Sequence, residues 1–267
     1  MLMAKQRYPK DILGVAYSPG RKLAELFLKI ENTPKAIVGV LNEVSSHHIK
    51  VLSSFQSETQ DGEMCWTLFT DFTDADLPHT KITKILKGLD FVHEATALKS
   101  EFKGLVMDEF HFPLLSLGER CITLRVETMG VMFERLRELF GERAHNALYE
   151  MGLRAGEIKI LKVRRKYGVG GLMALEIAMK ERMLKGWGIA KIKKFDKKRA
   201  RCVIEVQELF ECLHWAKIGR RTKSDFFRGY LCGLLTQVFN RNVMVVERKC
   251  IAKGDLYCRF EIGPAVV

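Results

Sequence analysis

No stretch of this chain approaches the roughly 18–20 consecutive apolar residues that a membrane-crossing helix needs, so a helical membrane anchor is not expected. The opening run from Met1 to Pro9 lacks the apolar core of a secretion signal, which makes the cytoplasm the expected location. Seven cysteines, an odd number and widely scattered, do not make the disulfide framework of a small secreted protein. The sequence also lacks a Walker phosphate loop, a Gly-x-Ser-x-Gly elbow and a His-Glu-x-x-His pair. Gly168-Val-Gly170-Gly171 precedes a helix, but it follows a basic helical end rather than an apolar strand, so it does not meet the context of a dinucleotide fingerprint. Asp108-Glu109 and Asp74 with Asp76 sit in polar turns, and His111, His145 and His214 stand singly. These absences favour a binding module over an enzyme.

What is present is ordinary globular material with an unusual charge distribution. A chain of 267 residues is long enough for two domains with separate cores, and 47% hydrophobic with 28% charged residues is normal for a soluble fold. The net charge of +12 resides in one segment: residues 154–201 hold 16 Lys/Arg against 4 Asp/Glu, and the remainder is balanced. Lys162-Val-Arg-Arg-Lys166 and Lys191 to Arg199 are its densest parts. Such a block attracts nucleic acid, anionic lipid or acidic protein. No helix-turn-helix, zinc finger or aromatic-interleaved motif accompanies it, so a solvated helix face followed by a charged turn is the simpler reading.

The hydrophobic pattern divides near residues 100–112. Leu23–Ile30 reads as a strand ended by Asn32-Thr33-Pro34, and Ala36–Val44 has helical spacing with Pro34 suited to its first turn. Strands follow at 49–56 and 64–71 around the polar turn Thr59-Gln60-Asp61-Gly62, then an amphipathic helix at 77–89 and a strand at 91–98. The order βαββαβ is ferredoxin-like. With its Asn-x-Pro turn, this block over residues 22–100 resembles an ACT domain, a regulatory module that often binds amino acids between paired copies. Relatives that bind amino acids commonly carry glycine just after that proline, where this chain has Lys35. The resemblance implies a homodimer and leaves the amino-acid site in question. His47-His48, at the end of the first helix, reads as solvent-facing.

Residues 110–267 read as an α+β domain of helices packed on an antiparallel sheet, with 101–109 as the crossing and 1–21 as an N-terminal arm. Helices are expected at 126–140, with Met129, Met132, Phe133, Leu136 and Leu139 on one stripe, and at 144–161, 172–184 and 226–239. Strands are expected at 189–195, 202–210, 243–250 and 256–262.

The most informative stretch runs from Glu247 to Ile262. Cys250 and Cys258 flank a Gly254-Asp255 turn, and a hairpin there brings the two thiols together with Glu247 on the same side. Thiolates plus a carboxylate form a zinc donor set, although two hairpin thiols also read as small buried apolar residues. Glu247-x2-Cys250-x3-Gly254-Asp255-x2-Cys258-x-Phe260 resembles the end of the 4-vinyl-reductase, or hydrocarbon-binding, domain. Phe227-Arg-Gly229-Tyr230-Leu-Cys-Gly233, Gly186-Trp187-Gly188 and the Phe140-Gly141 to Gly152 segment resemble further landmarks of that family. The likeness covers residues 110–263.

That domain occurs in sensory modules of aromatic-responsive regulators and is related in fold to subunits of the TRAPP vesicle-tethering complex. The resemblance implies a cytoplasmic ligand-sensing protein with an apolar pocket for a small aromatic or lipid-like molecule, walled by Trp187, His214, Trp215, Phe227 and Tyr230. It also implies structural zinc held by Glu247, Cys250 and Cys258. Zinc-binding relatives carry another cysteine five residues before the Gly-Tyr pair, where this chain has Ser224, and Cys212 is the preferred fourth ligand. Cys232 reads as core. Two other functions remain open at this point: a scaffold or nucleic-acid-associated protein using residues 154–201, and a reductase-like biosynthetic helper.

Overall fold

The computed structural model describes residues 8–12, 14–102 and 104–265. It divides into two compact units, Met1–Cys121 and Ile122–Val267. The first comprises β1 (Val15–Tyr17), β2 (Leu23–Ile30), α1 (Pro34–Ser46), β3 (Lys50–Glu58), β4 (Met64–Asp71), α2 (His79–Lys87), β5 (Val92–Lys99), β6 (Leu105–Met107), β7 (Leu115–Ser116) and β8 (Glu119–Arg120). Its main sheet has the order β3-β4-β2-β5 with every neighbour antiparallel, which is the ferredoxin-like arrangement expected from the pattern. Thr33 caps α1 by accepting a hydrogen bond from the Ala36 N–H at 3.2 Å, and Pro34 occupies the first turn.

Strand alternation explains the layers of this unit. Leu26, Leu28 and Ile30 of β2 join Val40 and Val44 of α1 and Ile82 and Leu86 of α2 in one core. The opposite parity faces a second layer, in which Leu23 and Phe69 pack with Ala16 of β1 and Val106 of β6. That second layer corrects the expected organisation. The crossing at 101–109 is not a bare linker, because Leu105–Met107 pairs in register with Val15–Tyr17 of the expected N-terminal arm. The same layer includes Phe110, whose ring stacks on Phe27 of β2 at 4.8 Å. The division between units therefore falls at 121/122 rather than after residue 109. Residues 1–7 of the arm lie outside the described residues.

The second unit comprises α3 (Val126–Phe140), α4 (Glu142–Tyr167), α5 (Gly171–Leu184), β9 (Ile189–Asp196), β10 (Arg201–Gln207), α6 (Phe210–Lys217), α7 (Asp225–Phe239), β11 (Val243–Lys249), a 3-10 turn (Ile251–Lys253) and β12 (Cys258–Pro264). Its antiparallel sheet has the order β11-β12-β10-β9. The strand expected at 202–210 stops at Gln207, since Glu208 takes a left-handed φ of +52° and the chain enters α6. His214 and Trp215 are thereby placed on a helix.

Helices α4 and α7 cross with their backbones nearly touching. A Cβ on Gly152 would lie 1.9 Å from the Phe226 carbonyl oxygen, and one on Gly229 would lie 2.0 Å from that of Tyr149. Gly156 and Gly233 make the same kind of approach one turn further along. The basic segment is distributed over α4, α5 and β9. Lys191, Lys193 and Lys194 stand exposed on β9, which is an edge strand, and charge there blocks pairing with other chains. Arg164 is used internally, donating to the Gln237 carbonyl at 2.6 Å.

Candidate functional site

Four short elements bring four donors together in the second unit. Cys212 lies in the first turn of α6, Glu247 near the end of β11, Cys250 at the entry to the 3-10 turn and Cys258 at the start of β12. One donor atom from each lies within 4.8 Å of the others. The turn is set by the Cys250 N–H donating to Asp255 Oδ2 at 2.8 Å and by Gly254 at φ +97°. A left-handed residue is needed there to fold the chain back, and glycine adopts it without a Cβ clash. All three cysteines are fully buried and Glu247 is half-buried.

The chemistry of this cluster fits a thiophilic dication. The Cys250 and Cys212 sulfurs are 3.5 Å apart, close to the edge of about 3.8 Å in a tetrahedral site with Zn–S bonds of about 2.3 Å. The Ile251 N–H points at the Cys258 sulfur at 3.5 Å. Hydrogen bonds from Cys212 and then Cys258 pull the Cys250 thiol down to about 3, and the same contacts, with burial, push Cys212 far above its ordinary value. The contact with Cys212 acts to lower Cys258, but the contact with Cys250 and burial together outweigh it and hold the thiol above its ordinary value. A dication held there would let all three thiols ionise.

Ser224, at the position where zinc-binding relatives carry cysteine, is fully buried and serves the carboxylate instead. Its Oγ–H donates to Glu247 Oε1 at 2.6 Å and its N–H to Oε2 at 3.2 Å. Burial pushes the Glu247 carboxyl up to about 7 against those two hydrogen bonds. Cys202 and Cys232 stand apart from the cluster. Burial raises the Cys202 thiol to about 12, and the Cys232 thiol donates to the Val243 carbonyl at 3.2 Å.

The five aromatic and histidine residues expected to wall a pocket separate into two groups. Trp187 packs on Phe210 and Tyr230, each at 5.1 Å, beneath the Arg182 guanidinium at 4.6 Å. Phe227 stacks on Tyr230 at 5.9 Å and meets Phe260 at 5.4 Å. Tyr230 is fully buried, and its hydroxyl has no hydrogen-bond partner. His214 and Trp215 turn towards α3 instead. His214 Nε2 lies 3.3 Å from Glu134 Oε2, and Arg137 covers the Trp215 ring at 4.8 Å.

A cleft of about 690 Å³ borders Trp215, and its lining is ionic rather than apolar, with Arg137, Arg220, Lys223, Asp225 and Arg228 on its wall. Sequence reasoning passed over the charges that organise this region. Glu211 is wholly buried, caps α7 by accepting the N–H groups of Phe226 and Phe227 at 3.0 and 2.8 Å, and is pushed by burial up to about 8. Burial also acts to raise Asp225, but hydrogen bonds from His145, Arg228 and Arg137 hold it below its ordinary value. Nothing local in the sequence marks Glu211 as buried. The signal available was its place in the first turn of an unrecognised helix.

Residues 202–264 match the family model for the 4-vinyl-reductase domain, so the cluster, most of the sheet and α7 lie within a domain of that kind. Among solved structures, the chain is similar to the phenol-responsive sensory domain of the transcription activator PoxR with phenol, at 18% identity and a TM-score of 0.50, over 56% of this chain and 79% of that one. A trafficking protein particle complex subunit 3 from Naegleria fowleri, covalently bound to palmitic acid, matches at 16% identity and a TM-score of 0.40, over 53% and 95% of the two chains. A vinyl-4-reductase family protein from Methanocaldococcus jannaschii matches at 18% and 0.38, over 55% and 85%. The first of these likenesses establishes a shared fold. No curated protein matches the chain. No helix among the described residues is long and apolar enough to cross a membrane.

Proposed function

We propose that this chain is a ligand-sensing protein. Its C-terminal unit takes a small aromatic or lipid-like molecule, and structural zinc at Cys212, Glu247, Cys250 and Cys258 fixes the end of the sheet. The observation that carries the reading is the four-donor cluster inside a 4-vinyl-reductase domain, on a fold shared with a phenol-responsive sensory domain. Zinc bound there would neutralise the thiolates and join α6, β11 and β12 through one centre. The ligand would enter the aromatic group of Trp187, Phe227 and Tyr230, with the unpartnered Tyr230 hydroxyl meeting its polar end. His214 and Trp215 would act from the α3 side.

Two measurements test this reading. Native mass spectrometry of freshly purified protein should show a retained small molecule, and calorimetry should show phenol binding. Tyr230→Phe should weaken phenol about tenfold, the worth of one hydrogen bond, without lowering thermal stability, because the hydroxyl has no protein partner to lose. Equal phenol affinity in both proteins, or no retained molecule and no phenol binding, would contradict the assignment.

The N-terminal unit would serve as an ACT-like regulatory domain that pairs two chains. Its sheet ends in the open edges β3 and β5, and α1 exposes Val38 and Leu41. A two-fold pairing is the commonest way to close such a surface. Light scattering at high micromolar concentration should give twice the 30.6 kDa chain mass, and a monomer mass would remove this part of the proposal.

A further inference from the structure

The second layer of the N-terminal unit brings together two carboxylates and an imidazole that are 83 to 86 positions apart in sequence for the outer pairs, Glu25 with Asp108 and Glu25 with His111. One donor atom from each of Glu25, Asp108 and His111 lies within 4.8 Å of the others. Glu25 stands on β2 facing away from the helices and is fully buried. Its Oε2 accepts the Glu109 N–H at 3.2 Å, its Oε1 receives no N–H or hydroxyl hydrogen bond, and burial followed by a hydrogen bond with the Asp108 carboxyl pushes Glu25 up to about 8. Asp108 Oδ1 accepts the N–H groups of Phe110 and His111 at 3.0 and 3.2 Å and lies 2.9 Å from His111 Nδ1. The other ring nitrogen, His111 Nε2, is buried and has no partner.

This placement is built by the surrounding chain. The Asp108 N–H donates to the Gly14 carbonyl at 2.7 Å, and the approach is so close that a Cβ on Gly14 would lie 2.6 Å from that of Asp108. Phe55 meets the His111 ring edge-on at 4.7 Å, and Phe27 lies 5.7 Å from it.

We infer that Glu25, Asp108 and His111 form a binding site for one divalent first-row transition-metal ion. Two carboxylates in a low-dielectric site cannot both stay ionised without a counter-charge. A proton shared between the carboxyls, or one on His111 beside Asp108, neutralises one of them, whereas a divalent ion neutralises both and also engages Glu25 Oε1 and a ring nitrogen. Carboxylates suit Mn²⁺ and imidazole suits Zn²⁺ and Fe²⁺, so the mixed set selects that group over Ca²⁺ or Cu⁺. The thiol cluster of the other unit contains no nitrogen donor, which separates the two sites spectroscopically.

The test is Mn²⁺ titration of the full chain followed by electron paramagnetic resonance. The expected result is one saturable Mn²⁺ per chain, carrying nitrogen-14 modulation from a bound imidazole. Glu25→Gln and His111→Gln should each weaken it at least about tenfold, and Cys250→Ser should leave it unchanged. No saturable Mn²⁺, bound Mn²⁺ without nitrogen coupling, or equal binding in folded Glu25→Gln would each overturn the site. If either variant does not fold, the nitrogen coupling in the unaltered protein decides.

Discussion

Cys250→Ser should release the zinc proposed for the C-terminal unit and lower its stability by several kcal/mol, because binding free energy at a structural metal site is also folding free energy. In a unit of this size that corresponds to a fall in Tm of about 10 °C or more. The serine hydroxyl neither ionises near neutral pH nor binds zinc comparably, and it would sit in a fully buried position beside Cys212. Cys212→Ser should act the same way, since its sulfur belongs to the same four-donor cluster. Cys232→Ser should not, because a hydroxyl there still donates to the Val243 carbonyl. A strong chelator should lower the melting of the unaltered protein towards that of Cys250→Ser and leave the variant where it is. Melting curves with metal analysis on the four proteins check this, and a Cys250→Ser protein as stable as its parent would contradict it.

Gly229→Ala should destabilise the C-terminal unit by at least about 3 kcal/mol, at the upper end of what overpacking costs. In an exposed helix the same change would help by about 1 kcal/mol, since alanine is the better helix former. Here the added methyl would lie 2.0 Å from the Tyr149 carbonyl oxygen, and backbone cannot move aside as a flexible side chain can. The helices would have to separate along a crossing that Gly152, Gly156 and Gly233 also keep close. Gly152→Ala should be as costly. Gly263→Ala, with nothing within 4 Å of the new methyl, should stay within about 1 kcal/mol of the parent. Denaturant unfolding of the three variants gives the comparison, and a neutral Gly229→Ala would show that the crossing is looser than described.

The glycines show what was legible before the structure. Gly229-Tyr230-x-x-Gly233 and Gly152 were visible as landmarks, but their reason is a steric fact between two helices some 75 positions apart, which no local pattern encodes. The bounds of strongly apolar elements were readable to the residue, as at Leu23–Ile30, Met64–Asp71 and Val126–Phe140. Helix α6 was not. Phe210-Glu-Cys-Leu-His-Trp215 continues the alternation of β10, and the turn at Glu208 depends on a left-handed backbone that a glutamate does not announce. Cys212 was singled out by family likeness, and the structure gives it a geometric reason, the sulfur of α6 reaching the hairpin. The three-residue strands β1 and β6 are too short to carry a period, so their ribbon read as an arm and a linker. The five residues expected around one pocket fall into a buried aromatic group and a separate cleft lined by charged side chains, a division that side-chain type alone does not reveal.

Zinc K-edge absorption spectroscopy of protein purified without chelator tests the proposed zinc-clamped sensory unit most directly. The expected result is about one zinc per chain, with a first shell of three sulfurs and one oxygen from Cys212, Cys250, Cys258 and Glu247. Protein that carries no zinc, or zinc surrounded by oxygen and nitrogen alone, would contradict it.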